Sequence, residues 1–243
     1  MHRFFVPPEC IAGHRATLRD AVAHQMVRVL RRRPGAQVVL LDGSGREYVT
    51  RLLSLGREAV EGEVTQVRQG CGEPRVRLTL AQGLLKGERF EWVLQKGTEV
   101  GVAAFVPLVT RRVVPRDAAR LETTRYPRWR RILQEAAEQA GRARVPELLP
   151  PRSLAEALRA ARGVALLPWE GERSTGLRQA LAGGGEGGVA LLVGPEGGFE
   201  EEEVRLAREA GARVVTLGRR TLRAETAGVV AAALVLYELG EMG

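Results

Sequence analysis

The sequence predicts an α/β protein in which a small β-rich domain, residues 1–72, precedes a larger domain, residues 73–243. Short strand-like runs separated by turns continue to about Leu80, and strands then alternate with helices. The length of 243 residues with 44% hydrophobic side chains is also sufficient for two modest domains, each with its own core. The chain therefore needs neither a disulfide nor a metal ion to hold its fold together.

The N-terminal pattern of short strands separated by turns is typical of a small β-barrel. Asp42-Gly43-Ser44-Gly45 predicts a hairpin turn, because glycine adopts the positive φ that tight turns require. One helix is predicted over residues 19–30, with Ala23, Met26, Val27 and Leu30 on its apolar face. The predicted strands cover residues 3–6, 37–42, 47–55, 59–67 and 76–80.

The C-terminal elements alternate in the manner of a parallel sheet covered by helices on both faces. The last helix is apolar on nearly every side, so we expect it to be buried in a core or against another subunit. The predicted helices cover residues 88–100, 127–142, 154–161, 200–210 and 224–239. The predicted strands cover residues 104–109, 145–149, 164–167, 189–193 and 214–217.

Several classes of protein are disfavoured by the sequence. Cys10 and Cys71 have no metal-ligand spacing, and the three histidines all lie near the N-terminus, so we expect no metal site. The first residues, MHRFFVPPEC, lack the apolar segment of a secretory signal, and no apolar run is long enough to span a membrane. We therefore expect a cytoplasmic protein without a membrane partner.

The charge distribution suggests a polyanionic partner. The formal net charge of +8 divides into +4 for residues 1–72, +6 for residues 73–150 and −2 for the rest. A basic surface of this kind suits nucleic acid, although a solvated surface in an arginine-rich protein would show the same bias. Nucleic acid is the favoured interpretation, with phosphate contacts expected from Arg3, Arg28, Arg31, Arg32 and Arg33.

Two glycine-bearing loops near the C-terminus indicate a ligand site. Gly194-Pro195-Glu196-Gly197-Gly198 directly follows a buried strand, at the sheet edge where α/β proteins bind ligands. The segment 217–227, LGRRTLRAETA, follows the next strand along the chain. Backbone groups of the two loops could surround a flat ligand, with Leu217 and Leu222 packing on its faces. Two structural turns are the alternative.

These loops carry a family resemblance. GPEGGF at 194–199 and LGRRTLRAETA at 217–227 resemble the SPOUT class of S-adenosylmethionine-dependent RNA methyltransferases, and the whole chain resembles its bacterial 16S ribosomal RNA (uracil-N3)-methyltransferase family. The further matching segments are RFFV at 3–6, RVLR at 28–31, LDGSGREY at 41–48, KGERFEWVLQKGTEVGV at 86–102 and WRRILQEAAEQAGRARVP at 129–146.

The resemblance implies a PUA-like RNA-binding barrel, a methyltransferase domain with a C-terminal trefoil knot, and a homodimer. It further implies S-adenosyl-L-methionine as cofactor and 16S ribosomal RNA, within an assembled small subunit, as substrate. Arg223 is the candidate for stabilising the uracil anion, and its alternative role is to pair with Glu225 or Glu196 and brace the knot. Glu225 is a candidate for a base or for that brace. The expected cofactor-binding residues are Leu167, Leu192, Gly194, Pro195, Glu196, Gly197, Gly198, Leu217, Gly218 and Leu222.

Two alternatives remain at the level of sequence. A SPOUT methyltransferase could act on another RNA position, such as a 2′-hydroxyl or a guanine. An RNA-binding assembly factor could also keep a vestigial cofactor pocket. The roles of Lys86, Lys96, Glu138 and Arg142 are open, since an ion pair four residues apart on one helix would explain the last two equally well.

Overall fold

The computed structural model describes residues 1–56, 58–112 and 124–242. The chain divides into two compact units, one comprising Met1–Glu73 with Ala137–Val145 and the other comprising the rest of the chain from Pro74 onward. The segment Ala137–Val145, which lies beyond the boundary expected from the sequence, thus groups with the N-terminal unit.

The first unit is built on a six-stranded sheet in the order β1-β4-β5-β6-β3-β2. Only β1 and β4 pair in parallel, and the other neighbours are antiparallel. Inward-facing side chains such as Phe4, Leu18, Leu40 and Leu52 form one buried cluster. The strands are β1 (Arg3–Phe5), β2 (Ile11–Ala12), β3 (Arg15–Arg19), β4 (Gln37–Leu41), β5 (Arg46–Leu55) and β6 (Ala59–Gln69).

The helix and the hairpin predicted in this unit are confirmed. Helix α1 (Asp20–His24) continues as a π-helical turn through Val29 and buries Ala23 and Met26. Gly43 and Gly45 have φ of 80° and 96° in the turn that joins β4 to β5. The β2–β3 hairpin was not predicted, because two-residue β2 is too short to show an alternating pattern.

The second unit contains a seven-stranded sheet with the path β10-β8-β7-β12-β11-β13, and β9 pairs with β8. Every pairing in this sheet is parallel, as predicted from the alternation of strands and helices. The strands are β7 (Leu78–Gly83), β8 (Ala104–Val109), β9 (Glu147–Leu148), β10 (Arg152–Ser153), β11 (Val164–Pro168), β12 (Val189–Val193) and β13 (Arg213–Val215). The helices are α2 (Arg89–Val100), α3 (Tyr126–Ala140), α4 (Leu154–Ala160), α5 (Leu177–Ala180), α6 (Glu201–Glu209) and α7 (Ala224–Glu238). The end of α3, from Ala137 onward, groups with the first unit.

The strand predicted over residues 76–80 corresponds to β7, and its grouping with the barrel strands was wrong. β7 pairs with β8 on one side and β12 on the other, inside the parallel sheet. All of its residues except Thr79 are buried, because helices cover both faces of the sheet.

Helix α7 is covered on only one side by the residues that the structure describes. It packs on α2, β7 and β12, and buries Gly228 and Leu236 among other residues. Val230, Leu234 and Tyr237 are exposed on the opposite side. In the described ranges, no helix is long and apolar enough to cross a membrane.

Candidate functional site

A cavity of about 540 Å³ lies at the carboxyl ends of β11 and β12. One wall is the loop after β12, which was predicted from its glycines, and another is the segment that leads into α7. The predicted residues Gly194, Pro195, Glu196, Gly197, Gly198, Leu222, Arg223 and Glu225 all line it, together with Pro168, Glu170 and Arg89. The structure therefore brings the two loops together at one site.

The remaining predicted cofactor residues lie around this cavity. Leu217 and Gly218 line a smaller space of about 100 Å³, which shares Pro168 and Leu222 with the main cavity. Leu167 and Leu192 are buried in the hydrophobic cluster of the sheet and line neither space. Pro168 and Val193, the residues that follow them, line the main cavity instead.

The glycine loop at 194–198 packs against the C-terminal end of β7. The Gln82 side chain is fully buried, and its Nε2 donates to the Gly194 carbonyl at 3.2 Å. A Cβ on Gly83 would lie 2.4 Å from the Pro195 nitrogen, so only glycine allows the two backbones to approach this closely. Neither residue was predicted from the sequence to belong to the site. A glutamine within a buried apolar strand is unusual, however, and could have indicated a functional or structural role.

Helix α7 contacts the same glutamine. A Cβ on Gly228 would lie 2.3 Å from Gln82 Oε1, so the absence of a side chain at position 228 makes room for the amide. Gln82 Oε1 is buried and has no hydrogen-bond partner among the described residues. The amide is therefore held in place by packing on one side and by its bond to Gly194 on the other.

Gly198 requires glycine because of its backbone conformation. Its φ is +67°, which side chains rarely adopt. An added Cβ would also lie 2.7 Å from Glu170 Oε1, the end of an exposed side chain that can move away. The neighbouring carbonyl of Gly197 accepts a hydrogen bond from Arg112 Nη1. The loop thus presents a tightly turned backbone to the cavity.

Arg89 lies between two carboxylates at the cavity wall. It was not predicted from the sequence to belong to the site. Its Nη1 donates to Glu196 Oε1 at 3.1 Å, and its Nε lies 3.9 Å from Glu225 Oε1. Burial acts to raise the pKa of Glu196, but hydrogen bonds from the Lys86 backbone N–H and from Arg89 outweigh it and lower that pKa. Glu196 is therefore ionised at neutral pH.

Arg223 stands apart from this ion-pair cluster. It is the N-cap residue of α7, is exposed and lines the cavity. Within the described part of the chain, no carboxylate forms an ion pair with it, and the two acids expected as its braces, Glu196 and Glu225, lie with Arg89 instead. Its guanidinium can therefore meet a ligand's negative charge.

The predicted phosphate-binding arginines have different environments in the first unit. Arg3 Nη1 pairs with the buried Glu47 at 2.6 Å, so its charge compensates an internal carboxylate. Arg28, Arg31 and Arg33 are exposed, whereas Arg32 is half-buried. The exposed three are the better placed to meet phosphate.

Two residues of open role also lie in the first unit. Glu138 Oε1 accepts a hydrogen bond from the Phe5 N–H at 2.8 Å. Arg142 is buried and pairs with Glu73 at 2.7 Å. The first contact ties the segment Ala137–Val145 to β1, and the second ties it to Glu73 at the end of the N-terminal part of the same unit.

Comparison with known proteins reveals similarity along nearly the whole chain. Residues 72–236 match the RNA methyltransferase domain family, and residues 18–65 match the RNA methyltransferase PUA domain family. Ribosomal RNA small subunit methyltransferase E of Bacillus subtilis is 32% identical over 88% of this chain and 87% of its own length. The Synechocystis protein of the same name is 34% identical over 96% of this chain and 77% of its own length.

Two solved structures show the same arrangement with a cofactor. Ribosomal RNA small subunit methyltransferase E of Neisseria gonorrhoeae, bound to S-adenosyl methionine, is 35% identical with a TM-score of 0.87 and covers 98% of this chain and 97% of its own. A Legionella pneumophila methyltransferase in complex with the same cofactor is 30% identical with a TM-score of 0.77, over 97% of this chain and 96% of its own.

Proposed function

Because this chain belongs to the RNA methyltransferase family in which a PUA domain accompanies the methyltransferase domain, we propose that it methylates N3 of one uridine in 16S ribosomal RNA, using S-adenosyl-L-methionine. Curated relatives at 32% and 34% identity are named ribosomal RNA small subunit methyltransferases, which supports the small subunit as the source of the substrate. Residues 1–72 would bind RNA and residues 73–243, with a C-terminal knot, would carry the methyltransferase.

The observation that carries this proposal is the cavity between the two predicted loops. Its volume of about 540 Å³ lies within the range of small-molecule sites, and the glycine loop leaves backbone groups accessible. Glu170, which forms no ion pair within the described part of the chain, places a negative charge on the wall, and this charge suits a cofactor with a cationic sulfonium and ammonium group. When bound, the cofactor supplies an electrophilic methyl group.

The protein's task is to favour the uracil anion. N3 of uracil carries a proton at neutral pH, and this proton must leave for the nitrogen to become a nucleophile. Arg223, at the N-cap of α7, offers a guanidinium and lies at the positive end of the helix dipole, so both favour negative charge on the base. Glu225, only 15% exposed and near Arg89, is assigned to bracing that arginine.

Substitution of Gly198 tests the cofactor site. We expect Gly198→Val to weaken S-adenosyl-L-methionine binding at least about 10-fold, since positive-φ strain of about 1–3 kcal/mol displaces the loop that lines the cavity. Gly211→Val is the matched control, because Gly211 has a similar φ of +84° but does not line the cavity. Calorimetry giving the parental affinity for a folded Gly198→Val protein would refute the assignment.

The substrate is tested by mass spectrometry of ribosomal RNA. A strain lacking this protein should lose one 3-methyluridine from 16S ribosomal RNA, and the parental gene should restore it. Loss of a different methylated nucleotide would show that the enzyme acts at another RNA position. Unchanged modification would remove the catalytic proposal in favour of an assembly role.

A homodimer is proposed from the exposed apolar side of α7. Val230, Leu234 and Tyr237 follow one another at helical spacing on a surface that the described residues leave exposed. Leu234→Glu is expected to convert the dimer to a monomer in light scattering at micromolar concentration, because a carboxylate would be buried at the interface. Leu206→Glu, on the exposed side of α6, should stay dimeric. A parental protein that is already monomeric and active would refute the dimer.

RNA binding is assigned to the exposed arginines of the first unit. Replacing Arg28, Arg31 and Arg33 by glutamine should weaken RNA binding and flatten its dependence on salt, by about 0.9 in the log–log slope for each phosphate that is no longer neutralised. Single-turnover methylation at saturating RNA should be preserved. Arg159→Gln with Arg162→Gln, exposed arginines of the second unit, is the control. Equal effects from the two sets would argue against a specific RNA-binding role for the first unit.

A further inference from the structure

A second cavity, of about 600 Å³, adjoins the proposed cofactor site. It shares Arg89 and Glu225 with the 540 Å³ cavity, so the two spaces meet at these two side chains. Its other side is formed by Trp92 at the start of α2 and by Lys86, which precedes the helix. A ligand in this cavity would therefore lie directly beside the methyl donor.

Trp92 is an unusual residue to find in solvent at this position. Its helix neighbours Phe90, Val93 and Leu94 are buried, whereas Trp92 is 41% exposed. A large apolar ring of this kind is more often buried, and its flat face is the surface on which proteins stack unpaired RNA bases. The exposed indole thus offers a platform for a planar ligand.

The charges around the platform suit a nucleotide. Lys86 Nζ forms no ion pair with any carboxylate of the described ranges, whereas Lys96, the other lysine of the chain, pairs with Glu99 at 2.8 Å. The free ammonium can meet a backbone phosphate. Glu225 and Arg89 supply an acceptor and a donor for the edge of a base.

We propose that this pocket, which we call the Trp92 pocket, binds the target nucleobase of the RNA, with Trp92 stacking on its face and Arg89 and Glu225 contacting its edge, where the pocket meets the cavity that Arg223 lines. The inference rests on the proposed function. N3 lies on the pairing edge of uracil, so the base must leave any helix before it can react, and it then needs a site beside the methyl donor. The Trp92 pocket is such a site.

Substitutions of Trp92 test the proposal, because they distinguish the effect of losing the aromatic ring from the effect of losing side-chain volume. Trp92→Ala and Trp92→Leu should lower kcat/KM for the small ribosomal subunit about 10- to 100-fold, the range expected for loss of one base stack. Trp92→Phe, which keeps an aromatic face, should stay within about threefold of the parent. Leu206→Ala, at an equally exposed apolar position on α6, should have no effect.

Two further measurements make the result decisive. S-adenosyl-L-methionine affinity by calorimetry and the mass by light scattering should be parental in all Trp92 variants. A parental kcat/KM for Trp92→Ala would refute the proposal that the Trp92 pocket binds the base. Dissociation of the dimer in a Trp92 variant would also refute it, because it would show that Trp92 contacts a second copy of the chain. An absence of methylation by the parental enzyme would instead refute the proposed function, so the two failures are distinguishable.

Discussion

Arg223→Ala is expected to lower the single-turnover rate of methylation about 100- to 1,000-fold, while the affinities for RNA and S-adenosyl-L-methionine change by no more than a few-fold. This magnitude is typical of removing one preorganised group that stabilises developing negative charge. Arg223 lines the cavity and, among the described residues, has no carboxylate partner, so its removal leaves no acid unpaired. We therefore expect the Arg223 charge to affect the rate of methylation and not the stability of the fold.

The control for Arg223 is Arg219→Ala, an exposed arginine of the same loop that does not line the cavity. It should retain the parental rate. A bracing role for Arg223 predicts a different pattern, in which thermal stability and cofactor affinity fall together. Measuring the rate, both affinities and the melting temperature separates the two roles, and an Arg223→Ala enzyme with the parental rate would exclude Arg223 from the mechanism.

Gly228→Ala is expected to weaken S-adenosyl-L-methionine binding and to lower the free energy of unfolding by about 1–3 kcal/mol, the usual effect of overpacking a core. Its new methyl group would lie 2.3 Å from Gln82 Oε1, so the buried amide would have to shift. The displaced amide would lose its hydrogen bond to the Gly194 carbonyl. A substitution in α7 would thus alter the loop at 194–198 through the Gln82 side chain.

A double-mutant cycle checks this route. Gln82→Ala alone should also weaken cofactor binding, because it leaves the Gly194 carbonyl without that donor. In the Gln82→Ala background, Gly228→Ala should have almost no further effect, since the atom that it would contact is gone. Additive decreases in cofactor affinity would show that the two residues act independently and would contradict positioning through Gln82.

Local pattern was enough to predict most elements. The strands β8 and β12 begin and end at the predicted residues, and α2, α6 and α7 lie within a residue or two of their predicted bounds. Periodicity of 2 or 3.6 residues is a property of neighbouring side chains, so it can be read from the chain alone. The glycine loop at 194–198 was predicted for the same reason, because its signal lies within five consecutive residues.

By itself, then, the sequence determined the α/β class, the two glycine-bearing loops and the family. Only the tertiary structure decided that β7 lies inside the parallel sheet, that Gln82 bonds to Gly194, that Arg89 lies between Glu196 and Glu225, and that Arg3 compensates buried Glu47. The partners in each of these contacts lie dozens of residues apart along the chain. The physical reason is that such contacts depend on strand order and on which buried charges need compensation, and neither leaves a periodic pattern in the chain.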